Sequence, residues 1–475
     1  MRKPLGIVIT PSEAQYEGVD VVLDNVVRTG ATMVSTSLGV VQPVGPGEGV
    51  REPPIDVAGE VRILDRPLWG QQVTYLRTYL PYEPNGASWA DVPYSRPRVA
   101  PPGPLRTDVP RKILEGARAR RLACYMQISP YTVPGAPGGQ SVESGERAES
   151  GDRPVPVGAK RARAVVAGHG CLNNPGVRAL GRARTRDAVL HYPDIDGLFM
   201  DWAEYACYFF EDAFTCFCPH CRSQADDWGY DWDRIERDVR ALWDSLSHAA
   251  PALKQTWADP LALPYAIGEL LARRPGVAEW LAFKARTVVE RYRELRAAMD
   301  SVGGQSIALC ANGFAPPWSL ITGMDYRGLT EICEVVRCKL FTFHWPMIAR
   351  WYAESLGEAT GAAAGSLLPA VLSLLDTPRP SGHPWTSIDQ FGMPAPDDDH
   401  PITLDALQRK VAQAVALAGD GADRVSAYIH SYRSLGQFEA IARAARSGLA
   451  GSVWVQRYGY LSDAKLDALR RVWAE

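Results

Sequence analysis

Eight short apolar runs, most of them followed by a stretch of helical periodicity, narrow the folds open to this chain. The runs are Leu5–Thr10, Thr32–Ser37, Leu122–Ile128, Gly197–Met200, Ser306–Asn312, Val335–His344, Val425–His430 and Gly451–Gln456. A strand that feeds a helix and returns to the next strand builds a parallel sheet. Eight such units close it into a (β/α)8 TIM barrel with enlarged βα loops, the fold class expected here. The helical stretches carry start signals. Asp108 stands at the N-cap position of 108–120 with Pro110 in the first turn, and Pro175 opens the helix expected over 174–192. Ala364–Leu375 fits a helix or a strand equally well.

The rhythm stops between Leu38 and Thr107, a segment rich in Pro and Gly and carrying Trp69, Tyr75, Tyr79, Tyr82, Trp89 and Tyr94. A connection this long inside a compact chain is usually functional. It reads either as a wall of the pocket after the second strand or as a small subdomain with its own core. A second insertion, about 134–165, reads as a mobile loop from its Gly, Pro and Ser content. No linker separates a further unit, so 1–475 is expected to be one barrel domain.

Composition removes several function classes. With 46% apolar and 22% charged residues the chain is ordinary globular protein and long enough to bury a full core. A net charge of −3 without a basic stripe argues against nucleic acid as a partner. No apolar stretch reaches membrane-spanning length, and the run before Pro11 is too short for a signal-peptide core. Nine cysteines spread through a long chain argue against a disulfide scaffold and for a reducing, cytoplasmic setting. Association into a homo-oligomer is left open.

In a barrel the chemistry gathers at the C-terminal ends of the strands. Those ends offer Glu13, Tyr125, Gln127, Asp201, Glu204, Asn312, Trp318, His344, Trp345, His430, Tyr432, Arg433, Arg457 and Tyr458. Carboxylates, amides and aromatics together suit a sugar: rings stack on its C–H faces and paired acids cleave its glycosidic bond. Any one of these aromatics is equally at home in packing; their concentration at strand ends is what points to a site. The apolar neighbours Trp202, Tyr205 and Tyr208 should keep Glu204 protonated longer than a free Glu, as a general acid requires. Asp201 is expected to be held by donors such as Arg433 or His344. An Asp at a strand end also commonly caps the next helix.

Past these acids come Cys216, Cys218 and Cys221, spaced C-x-C-x-x-C. Thiolates at this spacing converge on one ion, and zinc then needs a fourth ligand, for which His220, Cys207 and Cys171 are available. Buried free thiols are the alternative.

The stretch CLNNPGVR at Cys171, the EY pair at Glu204 and Tyr205, and CFCPHC at Cys216–Cys221 resemble the zinc-carrying microbial β-galactosidases of glycoside hydrolase family forty-two, over residues 171–230. The resemblance implies Cys171, Cys216, Cys218 and Cys221 as ligands of a structural zinc, and Glu204 as proton donor. Beyond 171–230 the likeness extends only to a barrel, one shared with other glycosidase-like barrels. Three departures stand out. Ala203 precedes the acid where the family has Asn. The step from Glu204 to the first motif Cys is longer. The family's strand-seven Glu has no counterpart in AYIHSYRS at Ala427–Ser434. The stretch DGLFMDW also looks like barrels of the α-galactosidase type, which implies Asp201 as nucleophile and an acid elsewhere, with Asp325 and Asp389 as candidates.

The expected function is hydrolysis of an O-glycosyl bond by a carboxyl pair, with Glu204 as general acid/base and Asp201 as nucleophile or sugar-orienting group. Asn312, His344, Trp345, Tyr432, Arg433 and Trp69 would contact the carbohydrate, and no catalytic cofactor is expected. A carbohydrate-binding barrel without turnover is the alternative of another class. A metal-dependent enzyme on another substrate is a third reading, but the sequence shows no His-rich set of ligands for it.

Overall fold

A computed structural model describes residues 3–54, 62–133, 155–157, 169–248, 263–377 and 387–475. Eight parallel strands form a closed barrel. In chain order they are Leu5–Val8, Met33–Ser37, Ala123–Ile128, Gly197–Met200, Ala308–Phe314, Val335–Leu340, Val425–His430 and Ser452–Gln456, called here barrel strands one to eight. Each pairs with its neighbours in sequence, and strand one closes on strand eight through Leu5–Val453, Gly6–Trp454 and Ile7–Val455. The fold is the (β/α)8 barrel that the alternation of runs predicts.

Inside the barrel, Val8, Phe199, Cys310, Tyr428 and Trp454 form one buried layer. The bulk of Trp454 is accommodated because strand one offers Gly6: a Cβ there would lie 2.2 Å from the indole. Gly197 likewise makes room for the Tyr125 ring. Outside, the expected Asp108 cap is made, and Asn174 caps the next barrel helix. The Asp108 carboxylate accepts the Arg111 N–H at 2.9 Å, and the Asn174 side chain accepts from Gly176 N at 2.8 Å.

Two strand ends differ from the sequence reading, and two segments that it left open take definite form. Barrel strand six stops at Leu340, and His344 opens a helix, His344–Thr360. The aromatic run FTFHW has no period that separates strand from helix, but Pro346 in the first turn suits a helix start. Strand one stops at Val8, and Thr10 instead leads the helix Pro11–Glu17, its N–H bonded to Glu13 Oε2 at 2.7 Å. Ala364–Leu374 resolves as a helix. The insertion after strand two holds a three-stranded antiparallel sheet, Val40–Val44, Thr74–Tyr79 and Val50–Glu52 in spatial order. The sheet is pinned to the barrel by Gln15, whose side-chain amide makes both backbone hydrogen bonds to Val41, at 2.8 and 2.9 Å.

The aromatics of this insertion divide between two places. Tyr82 stacks on His191 at 3.7 Å, and Trp89, 4% exposed, packs on Leu180 and Ala183 of the helix Pro175–His191. These rings serve packing on the barrel's flank, not a pocket wall. Trp69 alone of those tryptophans joins the barrel mouth, beside Tyr16 and the cluster of Tyr432 and Tyr460. The loop expected to be mobile lies outside the described residues except 155–157. No helix of the described residues is long and apolar enough to cross a membrane.

Candidate active site and metal centre

Strand four delivers Asp201 to the mouth of the barrel. Its N–H still pairs with Ile128 O at 2.8 Å, and Trp202 then takes a left-handed conformation, φ +58°, that turns the chain sharply. Within that turn Glu204 is carried inward beneath strand five, where Glu204 Oε2 accepts the Phe314 N–H at 3.3 Å. The two acids meet on one cation. Lys339 Nζ, from strand six, lies 3.1 Å from Asp201 Oδ1 and 3.0 Å from Glu204 Oε1, with the Trp202 face at 4.4 Å.

Amides complete the cradle. Asn312 Nδ2 donates to Asp201 Oδ1 at 3.2 Å and to Gln127 Oε1 at 3.1 Å, and Gln127 Nε2 donates to Asp201 Oδ2 at 3.3 Å. Beneath them Arg337 is sandwiched between the Phe199 and Trp454 rings, at 3.2 and 3.8 Å, and reaches Gln127 Oε1 at 3.4 Å. The layers therefore run from aromatic rings to guanidinium to amides to the carboxylate pair. Strand three supplies Gln127 to the polar layers, the end of strand four Asp201, strand five Asn312, and strand six both Arg337 and Lys339.

The two acids differ in access. The Asp201 side chain is 17% exposed and that of Glu204 0%. Burial pushes the Glu204 carboxyl above the usual carboxylate range, against the pull of Lys339 and the Phe314 N–H. Burial alone would discharge Lys339, but Asp201 and Glu204 outweigh it and raise the ammonium above the ordinary lysine value. Lys339 thus stays protonated, and Glu204 is a carboxyl that burial favours in its neutral form. The donors expected around Asp201 were Arg433 or His344; its partners are Lys339, Asn312 and Gln127 instead.

The other expected sugar contacts have neighbours of their own. His344 is one aromatic step from Trp202, its ring 5.2 Å from Tyr208, which is 5.7 Å from Trp202. Tyr432 and Arg433 are buried at the end of strand seven, where Tyr432 N donates to His430 Nδ1 at 3.0 Å and Arg433 Nε to His430 O at 3.1 Å. Trp345 is buried against Trp318, 5.6 Å away, and Lys410. Asp325 caps the helix Tyr326–Thr330, and Asp389, with its side chain 80% exposed, bonds Ser387. Glu13, in the helix Pro11–Glu17 that follows strand one, is buried between Gly459 N, 2.7 Å away, and Arg457, 3.4 Å away, and burial raises its pKa to about 7.

Sequence reasoning missed Lys339, Arg337 and His169. The first two alternate on a strand that is otherwise apolar, and charges on the inward face of a core strand survive only with partners. That spacing was a usable signal. His169 lies edge-on to Trp202 at 5.0 Å, and burial with Lys339 nearby lowers its pKa to about 3. A single His in GHG offers no sequence cue.

The cysteines converge as a second centre. The sulfurs of Cys171, Cys216, Cys218 and Cys221 all lie within 4.8 Å of one another, buried, and none is in a disulfide. Cys171 is 3.4 Å from Cys218, 3.6 Å from Cys221 and 3.8 Å from Cys216. Four sulfurs about 2.3 Å from a tetrahedral zinc stand roughly 3.8 Å apart, so the cluster fits that ion. Two donors already point at sulfur, Val155 N at Cys216 and Asn173 Nδ2 at Cys221, each at 3.3 Å. Such contacts orient thiolate ligands. Neither Cys207 nor His220 belongs to the group.

No family model matches the chain, and no curated protein matches it. Solved structures share the fold. The PgaB (BpsB) glycoside hydrolase domain from Bordetella bronchiseptica matches with a TM-score of 0.51 at 13% identity, over 99% of each chain. A β-galactosidase from the Antarctic haloarchaeon Halorubrum lacusprofundi matches with a TM-score of 0.51 at 12% identity. That alignment covers 99% of this chain and 57% of the β-galactosidase. At such identity the likeness establishes the fold alone, a (β/α)8 barrel; in this chain it carries a buried four-cysteine cluster able to hold a zinc ion.

Proposed function

We propose that the chain is a glycoside hydrolase that cleaves an O-glycosyl bond of a carbohydrate through an oxocarbenium-like transition state. The observation that carries this reading is the convergence of Lys339, Asn312 and Gln127 on Asp201 at the barrel mouth. A carboxylate fixed by three donors from three strands, with one edge open, is preorganised to face a developing cation. Asp201 is the group proposed to meet the sugar, as nucleophile or as the anchor of its ring. Glu204 is proposed as its acid/base partner. Its raised pKa supports that role, and its burial means that Lys339 or Trp202 must shift before it reaches a leaving oxygen. Asn312, His344, Tyr432 and Arg433 are proposed to hold hydroxyls or a carboxylate of the substrate, Trp69 to flank it, and Trp345 to support the wall. Zinc is proposed as structural, held by the four cysteines.

A panel of aryl glycosides tests the reading, with release of the aryl alcohol expected from at least one sugar. One observation favours a second reading, a carbohydrate-binding barrel without turnover: strand seven ends in His430 and carries no acid. Saturable sugar binding with no cleavage of any aryl glycoside would establish it.

A further inference from the structure

Arg433 follows barrel strand seven and precedes the helix Leu435–Ser447. It is fully buried, and only its Nε has an acceptor, the His430 carbonyl. Among the described residues, Nη1 and Nη2 have none. Other buried arginines also leave nitrogens without a hydrogen bond, Nε of Arg291 and Arg457 and Nε and Nη2 of Arg337, but each has a carboxylate or aromatic faces against it. Arg337 has two aromatic faces and Gln127, Arg457 has Glu13 and Glu52, and Arg291 has Glu294 at 3.2 Å. The carboxylate that acts on Arg433 is Asp399, an exposed residue that itself accepts from the Ser434 hydroxyl.

Its surroundings are rich in basic groups. The Phe343 ring lies 4.1 Å from His344, 4.7 Å from His430 and 6.1 Å from His400, with Arg62 over it at 5.4 Å. Burial, and then the nearby arginines, push His430 and His400 well below the ordinary histidine value, so neither adds a counter-charge. A buried guanidinium with four idle N–H groups is costly, and native proteins resolve such groups with an ion, a ligand or water.

We infer that Nη1 and Nη2 of Arg433 hold a small monovalent anion, gripped by two parallel N–H contacts at the end of strand seven. That anion is either the carboxylate of an acidic sugar or a free inorganic anion such as chloride. The sugar branch rests on the glycosidase reading above; the anion site does not. Substrate groups collect at this end of a barrel.

Melting of the full chain in chloride-free buffer tests the inference, with sodium bromide, sodium D-glucuronate or D-glucose added. An anion at one hundred times its Kd should raise Tm by about 2–3 °C for a chain of this length. Glucose should not, and Arg433→Met should lose the response while keeping any general effect of salt. A rise with glucuronate alone identifies the acidic-sugar subsite, and a rise with bromide identifies an inorganic-anion site. Should Arg433→Met fail to fold, anomalous scattering from wild-type crystals grown in bromide gives the same answer by density at Arg433. Identical responses of wild type and variant to both salts, or no bromide or glucuronate at the guanidinium, would overturn the site. Absence of glycoside cleavage beside a clear anion response would remove the function and leave the site standing.

Discussion

Replacing Lys339 by Met tests the polar centre of the barrel at its joint. The substitution keeps the length of the side chain and removes the one cation shared by Asp201 and Glu204, at 3.1 and 3.0 Å. Removing one partner of a buried ion pair costs about 3–5 kcal/mol, because the remaining charge stays buried. Unfolding entropy near 2.1 cal/mol/K per residue makes about 1 kcal/mol/K for this chain, so Tm should fall by roughly 3–5 °C at neutral pH. The sign with pH is fixed by the shifts. Lys339 is raised, so its contribution is fully present below the unfolded lysine value and lost as pH climbs through the folded one. Glu204 is raised, so its burial costs nothing below the unfolded value near 4.5 and costs most above its folded value. Loss of Lys339 enlarges that cost. The Tm difference between wild type and Lys339→Met should therefore be largest near pH 8 and shrink toward pH 4. Adding Glu204→Gln to the variant should return part of the loss. Differential scanning calorimetry across that range decides it: a loss of constant size at every pH means that only packing was removed, and the electrostatic account of the site is then wrong.

Other consequences are more direct. Purified protein should carry one zinc per chain by elemental analysis, and Cys218→Ser should lower Tm more than it lowers turnover; four alkylatable thiols in metal-free native protein would exclude the site. Glu13, raised to about 7 by burial, contributes stability that is complete below about 4.5 and lost as pH rises through 7, a change of at most about 3 kcal/mol. Glu13→Gln should accordingly gain on wild type in melting temperature between pH 5 and pH 8. Trp89→Ala, which empties a packed site on the helix Pro175–His191, should cost about 3–5 kcal/mol of stability and leave sugar affinity alone. Trp69→Ala, at the half-buried mouth, should do the reverse in a binding titration.

The barrel was legible because each strand is a short apolar run and each helix announces its start. Asp108 caps where the sequence places it, and Pro175 stands in the first turn of its helix as expected. Strand six was read four residues too long, since FTFHW carries no period and tertiary packing decides its course. Asp201, Glu204 and Asn312 were found because strand ends are where a barrel keeps its chemistry, and they do meet. Lys339 was missed although its cause was visible: an acid carried into a core demands a cation, and strand six held two at alternate positions. Asp201 was paired with the wrong donors because neighbours across a barrel follow from register and stagger, which a single sequence does not print. Trp89 was misplaced for a related reason. Its loop leaves the mouth and runs down the flank, and composition carries no direction. The cysteine cluster was the most legible feature, because a metal site needs only the right atoms at the right spacing.

The central claim is that the carboxylate at the end of strand four meets the sugar, and the variant Asp201→Asn tests it most directly. With an aryl glycoside that the wild type cleaves, the account with Asp201 as nucleophile predicts loss of turnover, restored by azide with formation of a glycosyl azide. Glu204→Gln should still cleave activated aryl glycosides, which need little protonation of the leaving group. Near wild-type turnover by Asp201→Asn without azide, on every glycoside the wild type accepts, would contradict the account.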